Sequence, residues 1–203
     1  MPFVFALKKA ELKAILACAS ADSSRANLTR VRFEPHTNTI IATDGKCMCV
    51  VKFAANAESG EPAFEIDAQH LRSLAPYAEV VISCPSKDGG ISVSDHLGAV
   101  LLRLQKAAPG CEFPHWNEVA GWPMDENGNP ARAGVRRVGM DPVLLAKALA
   151  MAKAFGHRQI IFEFASNGLD PIHVLIESHE NIVAGLNRGD VSILFVLMPM
   201  RVD

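Results

Sequence analysis

The chain has 203 residues, a formal net charge of -2 and 49% hydrophobic residues, enough for one or two domains with a sizeable core. No apolar run reaches the ~20 residues that a membrane span needs. Near the N-terminus the basic residues follow the apolar stretch, the reverse of a signal peptide, and five cysteines lack the spacing of a disulfide framework. We therefore expect a cytoplasmic protein. Its net charge of -2 argues against tight binding to DNA through overall positive charge.

The first part of the chain predicts a strand, a helix and then a run of strands. The strand covers 3–7, and the helix runs from about Lys9 to Ala19. Apolar side chains recur along this helix at i, i+3, i+4 and i+7 and so share one face: Leu12, Ile15, Leu16 and Ala19. Three strands are predicted to follow, near 28–34, 39–42 and 47–53.

The same order returns in a second unit. A strand at 64–66 leads to Asp67, a suitable N-cap for a short helix that Pro76 ends. Strands are predicted near 79–84, 90–95 and 99–105, with a turn rich in Asp and Gly between the first two.

A third unit begins near Arg137. Asp141 is the predicted N-cap of a helix, Pro142 fits its first position, and Gly156 is a natural end. The predicted buried stripe is Leu145, Ala148, Leu149 and Ala152. Strands are predicted near 159–164, 172–177 and 191–198. The fold class is therefore α+β, with repeated strand–helix–strands units, antiparallel sheets and helices on one face.

The connection between units two and three spans 106–136, is rich in Pro, Gly and Asn, and shows no period. A structureless stretch of about 30 residues is unusual inside a compact domain. Trp116 and Trp122 favour partial ordering, because large rings are seldom left exposed.

Signals for enzyme chemistry are weak. The Thr43-Asp44-Gly45 sequence precedes an apolar strand and is more typical of a turn than of a catalytic loop. The pairs Cys47/Cys49 and His173/His179 lack zinc-site spacing, and the chain has no phosphate-binding glycine loop and no nucleophile elbow. We therefore expect no catalysis, no cofactor and no metal, although an enzyme on an unrelated α+β fold stays a third reading.

Three motifs occur in a distinctive order: Ala-Thr-Asp-Gly-Lys at 42–46, Phe-Pro-His-Trp at 113–116, and Met-Pro-Met-Arg at 198–201. Together they resemble the bacterial DNA sliding clamp, the β subunit of DNA polymerase III. The resemblance implies one whole clamp-like domain at 1–105, a connection at 106–136, and a half domain at 137–203 that ends in the tail. The family's first domain and the first half of its last domain have no counterpart here.

The resemblance also implies a hydrophobic cleft that captures peptide tails of polymerases or loaders, with a Gln and a Leu-Phe pair as anchors. Lys46 and Cys47 stand where a His-Arg pair is common, so the rim is expected to read a different peptide. Alternatively, Met198 and Met200 only fill a core. The cleft positions are Leu28, Thr43, Gly45, Lys46, Cys47, Met48, Pro114, Val119, Val196, Leu197, Met198, Pro199, Met200, Arg201 and Val202.

By the same resemblance, basic residues on the helices face DNA and contact phosphates without reading sequence. Alternatively, these basic residues have no DNA-binding role and only form the solvent-exposed faces of the helices. Two functions stay open: a DNA-associated processivity or recruitment factor, expected to be a homo-oligomer, or a peptide-binding adaptor or decoy that does not encircle DNA. The DNA-facing candidates are Lys9, Lys13, Arg72, Lys147, Lys153 and Arg158.

Overall fold

The computed structural model describes residues 3–53, 62–84, 90–105, 113–116, 140–157, 160–163, 171–176 and 192–197. The helices are α1 (Lys9–Leu16), α2 (Ala68–Arg72) and α3 (Pro142–Ala154). None of the helices in these ranges is long and apolar enough to cross a membrane. The strands are β1 (Phe3–Lys8), β2 (Arg30–Glu34), β3 (Thr39–Thr43), β4 (Cys47–Lys52), β5 (Phe64–Asp67), β6 (Glu79–Cys84), β7 (Ile91–Asp95), β8 (Val100–Leu104), β9 (Ile161–Glu163), β10 (Ile172–Ile176) and β11 (Ser192–Leu197).

The first two units interlock by exchanging their first strands. Strand β1 of unit one pairs with β6 of unit two in a four-stranded sheet of order β1-β6-β7-β8. Strand β5 of unit two pairs with β2 of unit one in the other sheet. Each unit therefore supplies one strand to the sheet of the other, and neither sheet is complete without both units.

Unit three joins unit one through its last strand. Strand β11 pairs antiparallel with β4, from Ser192 opposite Lys52 to Leu197 opposite Cys47. The result is a seven-stranded sheet of order β5-β2-β3-β4-β11-β10-β9. A continuous ladder of backbone hydrogen bonds thus fixes the position of unit three beside unit one.

One apolar core connects the helices and both sheets. Helix α1 packs against α2 and α3. Below the helices, the ring of Phe33 stacks on Phe64 at 5.1 Å and meets Phe5 edge-on at 5.4 Å. Such aromatic pairs add about 0.5–1.5 kcal/mol each beyond the burial of their area. Phe195 of β11 is fully buried in the same core, so unit three shares the interior of unit one.

The helix caps follow the sequence closely. The carboxylate of Asp67 accepts a hydrogen bond from the Gln69 N–H, and that of Asp141 accepts one from the Val143 N–H at 2.8 Å. Pro142 takes the first helical position. Helix α1 ends at Leu16, earlier than predicted, because the N–H groups of Cys18 and Ala19 bond three residues back and tighten the chain into a turn.

The predicted face of α3 is partly wrong. Leu149 is 51% exposed and Leu145 is half-buried, whereas Leu144 and Met151 join Ala148 and Ala152 in the core. The helix carries apolar residues on nearly every side, so their periodicity in the sequence does not single out one buried face. The choice of face depends on packing against α1 and the sheet.

Candidate functional site

A pocket of about 460 Å³ lies where β4, β11 and the turn between β3 and β4 meet. Its walls come from four segments that are distant in sequence. Its lining combines apolar side chains with one amide, one hydroxyl and two cations: Arg25, Asn27, Leu28, Thr43, Gly45, Lys46, Cys47, Met48, Pro114, Trp116 and Val196.

The turn between β3 and β4 is held by its own side chains. Asp44 Oδ1 accepts hydrogen bonds from the N–H groups of Lys46 at 2.8 Å and Cys47 at 2.9 Å. The Thr43 hydroxyl donates to the Cys47 carbonyl and accepts from the Gly45 N–H. Gly45 has a φ of 83°, which glycine adopts most readily, and a Cβ there would lie 2.6 Å from an Arg25 nitrogen. The turn therefore presents its backbone rigidly to the pocket.

An ion pair ties α3 to this turn. Lys147 Nζ lies 2.7 Å from Asp44 Oδ2 and 3.6 Å from Cys47 Sγ. Burial raises the pKa of Asp44, but the hydrogen bonds from Lys147 and the Cys47 and Lys46 N–H groups outweigh it, so the net pKa is lowered. Burial lowers the pKa of Lys147, yet its contact with Asp44 raises it on balance. Both groups are charged at neutral pH.

The apolar floor of the pocket is a second, smaller core on the outer face of the seven-stranded sheet. It contains Ile41, Met48, Val50, Phe113 and Val196. Phe113 packs in this core with Met48 and Val50 of β4, although it lies more than 60 positions from β4 in the sequence.

Trp116 packs against this second core and adds a polar link. Its Nε1 donates to Glu34 Oε1 at 3.1 Å. Burial raises the pKa of Glu34, but hydrogen bonds from Arg32, Trp116 and Thr37 reverse that effect, and the net pKa is lowered. A charged acceptor thus fixes the indole at the edge of the pocket.

Alternation along β11 separates two predicted cleft residues. Ile193, Phe195 and Leu197 face the main core, whereas Val196 belongs to the second core and lines the pocket. Leu197 is 1% exposed and takes no part in the lining. Successive strand residues point to opposite faces, so Val196 and Leu197 lie on opposite sides of the sheet.

Eight of the predicted cleft residues line the pocket, and three lining residues were not predicted. Arg25 and Asn27 shortly precede the predicted Leu28, and Trp116 ends the Phe-Pro-His-Trp motif that contains the predicted Pro114. Nearness in sequence, and for Trp116 the motif itself, could have identified them. The predicted positions that lie outside the described residues are Val119, Met198, Pro199, Met200, Arg201 and Val202.

The predicted DNA-facing residues differ in whether their side chains are exposed or already bonded to other protein groups. Lys9, Lys13 and Lys153 are exposed on helices. Lys147 is engaged by Asp44, and Arg72 donates from Nη2 to the carbonyls of Leu16 and Ala19 at the end of α1. Arg158 lies outside the described residues.

The main core also contains three free, buried thiols, those of Cys18, Cys47 and Cys49. A hydrogen bond with Cys18 and burial raise the pKa of the Cys47 thiol, which keeps it protonated. Within the part of the chain that the structure describes, no cluster of three or more His, Cys, Asp or Glu residues could hold a metal ion.

No family model matches the chain, and no curated protein matches it. Solved structures do. The β subunit of DNA polymerase III from Thermotoga maritima is 13% identical over 99% of this chain and 66% of its own, with a TM-score of 0.61. The DNA polymerase sliding clamp from Pseudomonas aeruginosa is 16% identical over 98% of this chain and 66% of its own, with a TM-score of 0.60.

The chain has the sliding-clamp fold. The β chain of DNA polymerase III from Streptococcus pneumoniae extends the same similarity, at 15% identity over 100% of this chain and 65% of its own, with a TM-score of 0.60. The chain thus spans slightly less than two thirds of the length of these clamps. The α+β class, the antiparallel sheets and the repeated units predicted from the sequence are confirmed.

Proposed function

We propose that this chain is a cytoplasmic, non-catalytic accessory factor of DNA replication that binds peptide tails of partner proteins, such as polymerases or loaders, in the pocket beside β4 and β11. The observation that carries this proposal is the pocket itself. Segments from unit one, from 113–116 and from β11 converge on one apolar concavity in a clamp fold.

The chemistry of the pocket suits a peptide more than a small charged metabolite. Met48 and Val196 are buried at its floor, and Leu28 and Pro114 add apolar walls. Apolar anchors buried in such a pocket supply most of the affinity for a peptide. Asn27 at the rim has an amide that can both donate to and accept from an extended backbone.

The proposal extends to DNA through the helices. Lys9 and Lys13 lie one turn apart on α1, and Lys153 is exposed on α3, which packs against α1. Such cations would attract phosphates in any sequence, with affinity that falls as salt rises. We propose a homo-oligomeric processivity or recruitment factor as the first function. The adaptor or decoy that does not encircle DNA requires the pocket but none of these lysines.

Titration of a fluorescent peptide carrying a Gln and a Leu-Phe pair tests the pocket. We expect saturable binding, which Leu28→Ala weakens by about 1–3 kcal/mol because it removes an apolar wall. Leu97→Ala is the matched control, since Leu97 is 81% exposed and lies outside the pocket. Circular dichroism confirms that each variant is folded. No binding of the folded protein at high micromolar concentration contradicts the proposal.

The two versions of the proposal differ on DNA. The processivity factor should be retained on circular DNA and lost from linear DNA at moderate salt, and Lys9→Gln with Lys13→Gln should reduce that retention. A monomer at tens of micromolar by light scattering, with peptide binding but no retention on circular DNA after loading is attempted, favours the adaptor.

A further inference from the structure

Strand β8 is an apolar edge of the four-stranded sheet. In its pairing with β7, Leu102 lies opposite Val93 and Leu104 lies opposite Ile91, so both leucines are on the face that covers the main core. Val93 and Ile91 are fully buried, yet Leu102 and Leu104 are only half-buried. Among the described strands, none pairs with the other side of β8. The apolar surface of these two leucines is thus open at the edge of the sheet.

The other edge strands leave less apolar surface open. In β1 the core-facing Phe5 and Leu7 are buried, and in β5 the same is true of Phe64 and Ile66. Strand β9 has only three residues and ends in the charged Glu163. By contrast, four of the five residues of β8 are apolar. Natural edge strands are usually shortened, charged or covered, because an open edge is a template for pairing with another chain.

The residues of β8 are compatible with a further strand. Arg103 lies opposite Ser92, on the face of the sheet away from the core, and can keep its charge in water while the backbone pairs. No proline occurs between 99 and 105, so no backbone N–H of the strand is missing. The ladder with β7 shifts register between Val93 and Ser94, and 102–104 lie beyond that shift in regular pairing.

The turn that leads into β8 is ordered by its own side chain. The Asp95 carboxylate accepts hydrogen bonds from the N–H groups of Leu97 at 3.0 Å and Ala99 at 2.8 Å. The Asp95 N–H in turn donates to the Ala99 carbonyl. A strand that is already held in place loses less conformational entropy when it pairs.

The chain itself shows which kind of strand pairs with such an edge. The three units end in β4, β8 and β11, and the last strands of units one and three pair with each other antiparallel. Both are then occupied on their two sides, β4 by β3 and β11, and β11 by β4 and β10. Strand β8 is the last strand of unit two and has no such partner among the described strands. The matching strand with a free side is therefore the β8 of a second copy.

We infer that two copies of this chain pair β8 with β8, antiparallel and about a two-fold axis, so that their four-stranded sheets become one continuous sheet. This inference rests on the homo-oligomer proposed above and names its contact. Complete overlap of the two strands places Leu102 on the axis, opposite the same residue of the partner, and Val100 opposite Leu104. A two-fold contact uses the same surface on both copies and closes at two.

Molecular mass and substitutions in β8 test the contact. We expect the native chain to have the mass of two copies by light scattering at tens of micromolar. Val100→Lys and Leu102→Lys should each weaken the dimer about tenfold, because a lysine on this edge must lose water and meet the positive charges of the partner. Leu97→Lys and Leu149→Lys are the matched controls, since both leucines are exposed and lie outside β8. Circular dichroism confirms that each variant is folded.

A cross-link tests the two-fold axis without adding charge. Residues directly opposite each other in an antiparallel pair have Cα atoms about 4.5–5.5 Å apart, within the range that a disulfide spans. Leu102→Cys should therefore form a covalent dimer under mild oxidation, reversed by dithiothreitol. The native chain and Leu97→Cys are the controls for cross-links through the chain's own cysteines.

Each result separates the contact from the proposed function. A monomer at tens of micromolar overturns both this inference and the proposed homo-oligomer, whereas peptide binding is measured independently, because the pocket lies on the other sheet. A dimer that the β8 lysines leave unchanged refutes the inference and leaves the homo-oligomer standing. A dimer that the lysines weaken but Leu102→Cys does not cross-link places β8 against a different surface and refutes the two-fold pairing. A mass above two chains contradicts closure at two copies.

Discussion

Replacing Lys147 by Met tests how firmly unit three is held on unit one. The Lys147 side chain is 21% exposed and that of Asp44 18%, and their charged atoms lie 2.7 Å apart. Fully exposed ion pairs contribute about 0.2–1 kcal/mol, and hydrogen bonds to charged groups about 1.5–3 kcal/mol. A pair with about a fifth of its surface in water falls between these limits. We expect Lys147→Met to lower the free energy of unfolding by about 1–2 kcal/mol.

Thermal unfolding measures this loss. For a chain of this size, each kcal/mol lowers Tm by about 2–4 °C, so we expect a decrease of about 2–8 °C. Lys153→Met is the matched control, because Lys153 is exposed on the same helix and should change Tm by less than about 2 °C. A double-mutant cycle with Asp44→Asn isolates the pair. A coupling energy near zero, or equal Tm values for the two Lys variants, refutes the reasoning.

The pH dependence of this stabilisation has a definite sign. Because the pKa of Asp44 is lowered in the folded state, its contribution to the free energy of unfolding is present above the ordinary carboxyl pKa of about 4. It is lost as the pH falls through the lower pKa of the folded state. The raised pKa of Lys147 means that its contribution is present below about pH 10 and is lost as pH rises through the folded value. The Tm difference between the native chain and Lys147→Met should therefore be constant near neutrality and shrink below about pH 4.

Three other outcomes follow from the fold. Phe195→Ala should destabilise the protein by about 3–5 kcal/mol, because the ring is fully buried, while Leu97→Ala should have almost no effect in the same urea titration. Deleting 196–203 should lower Tm by many degrees, since it removes two side chains that are each 1% exposed, together with their pairing to β4; an unchanged Tm would make these residues dispensable for folding. Arg72→Met should fray the end of α1 and accelerate amide exchange at 17–19, and unchanged exchange would show that its two hydrogen bonds to Leu16 and Ala19 contribute little.

Local signals in the sequence account for much of the fold. Asp67 and Asp141 cap helices because the short side chain of each places its carboxylate where it accepts a hydrogen bond from the backbone N–H two residues further on. The Asp-Gly turn before β4 forms for a similarly local reason, since Asp44 and Thr43 bond within the turn itself. Features of this kind depend on neighbours within three or four residues, which the sequence displays directly.

Long-range features could not be predicted in the same way. The exchange of β1 and β5 between units depends on pairing across tens of residues, and repeated units look alike whether or not they exchange strands. The engagement of Lys147 by Asp44 joins residues separated by 103 positions, so its charge alone suggested an exposed cation.

The pocket and the junction of units one and three depend on the same contacts. Val196 lines the pocket from β11, and the turn that forms the opposite wall is tied to α3 by Lys147. The wall from unit three exists only while β11 is paired with β4, because one ladder positions both. A ligand that fills the pocket therefore binds the docked arrangement in preference to any in which the strands separate, and mass action makes it stabilise the junction. Occupancy of the pocket and the docking of unit three are thus thermodynamically linked, whatever the ligand.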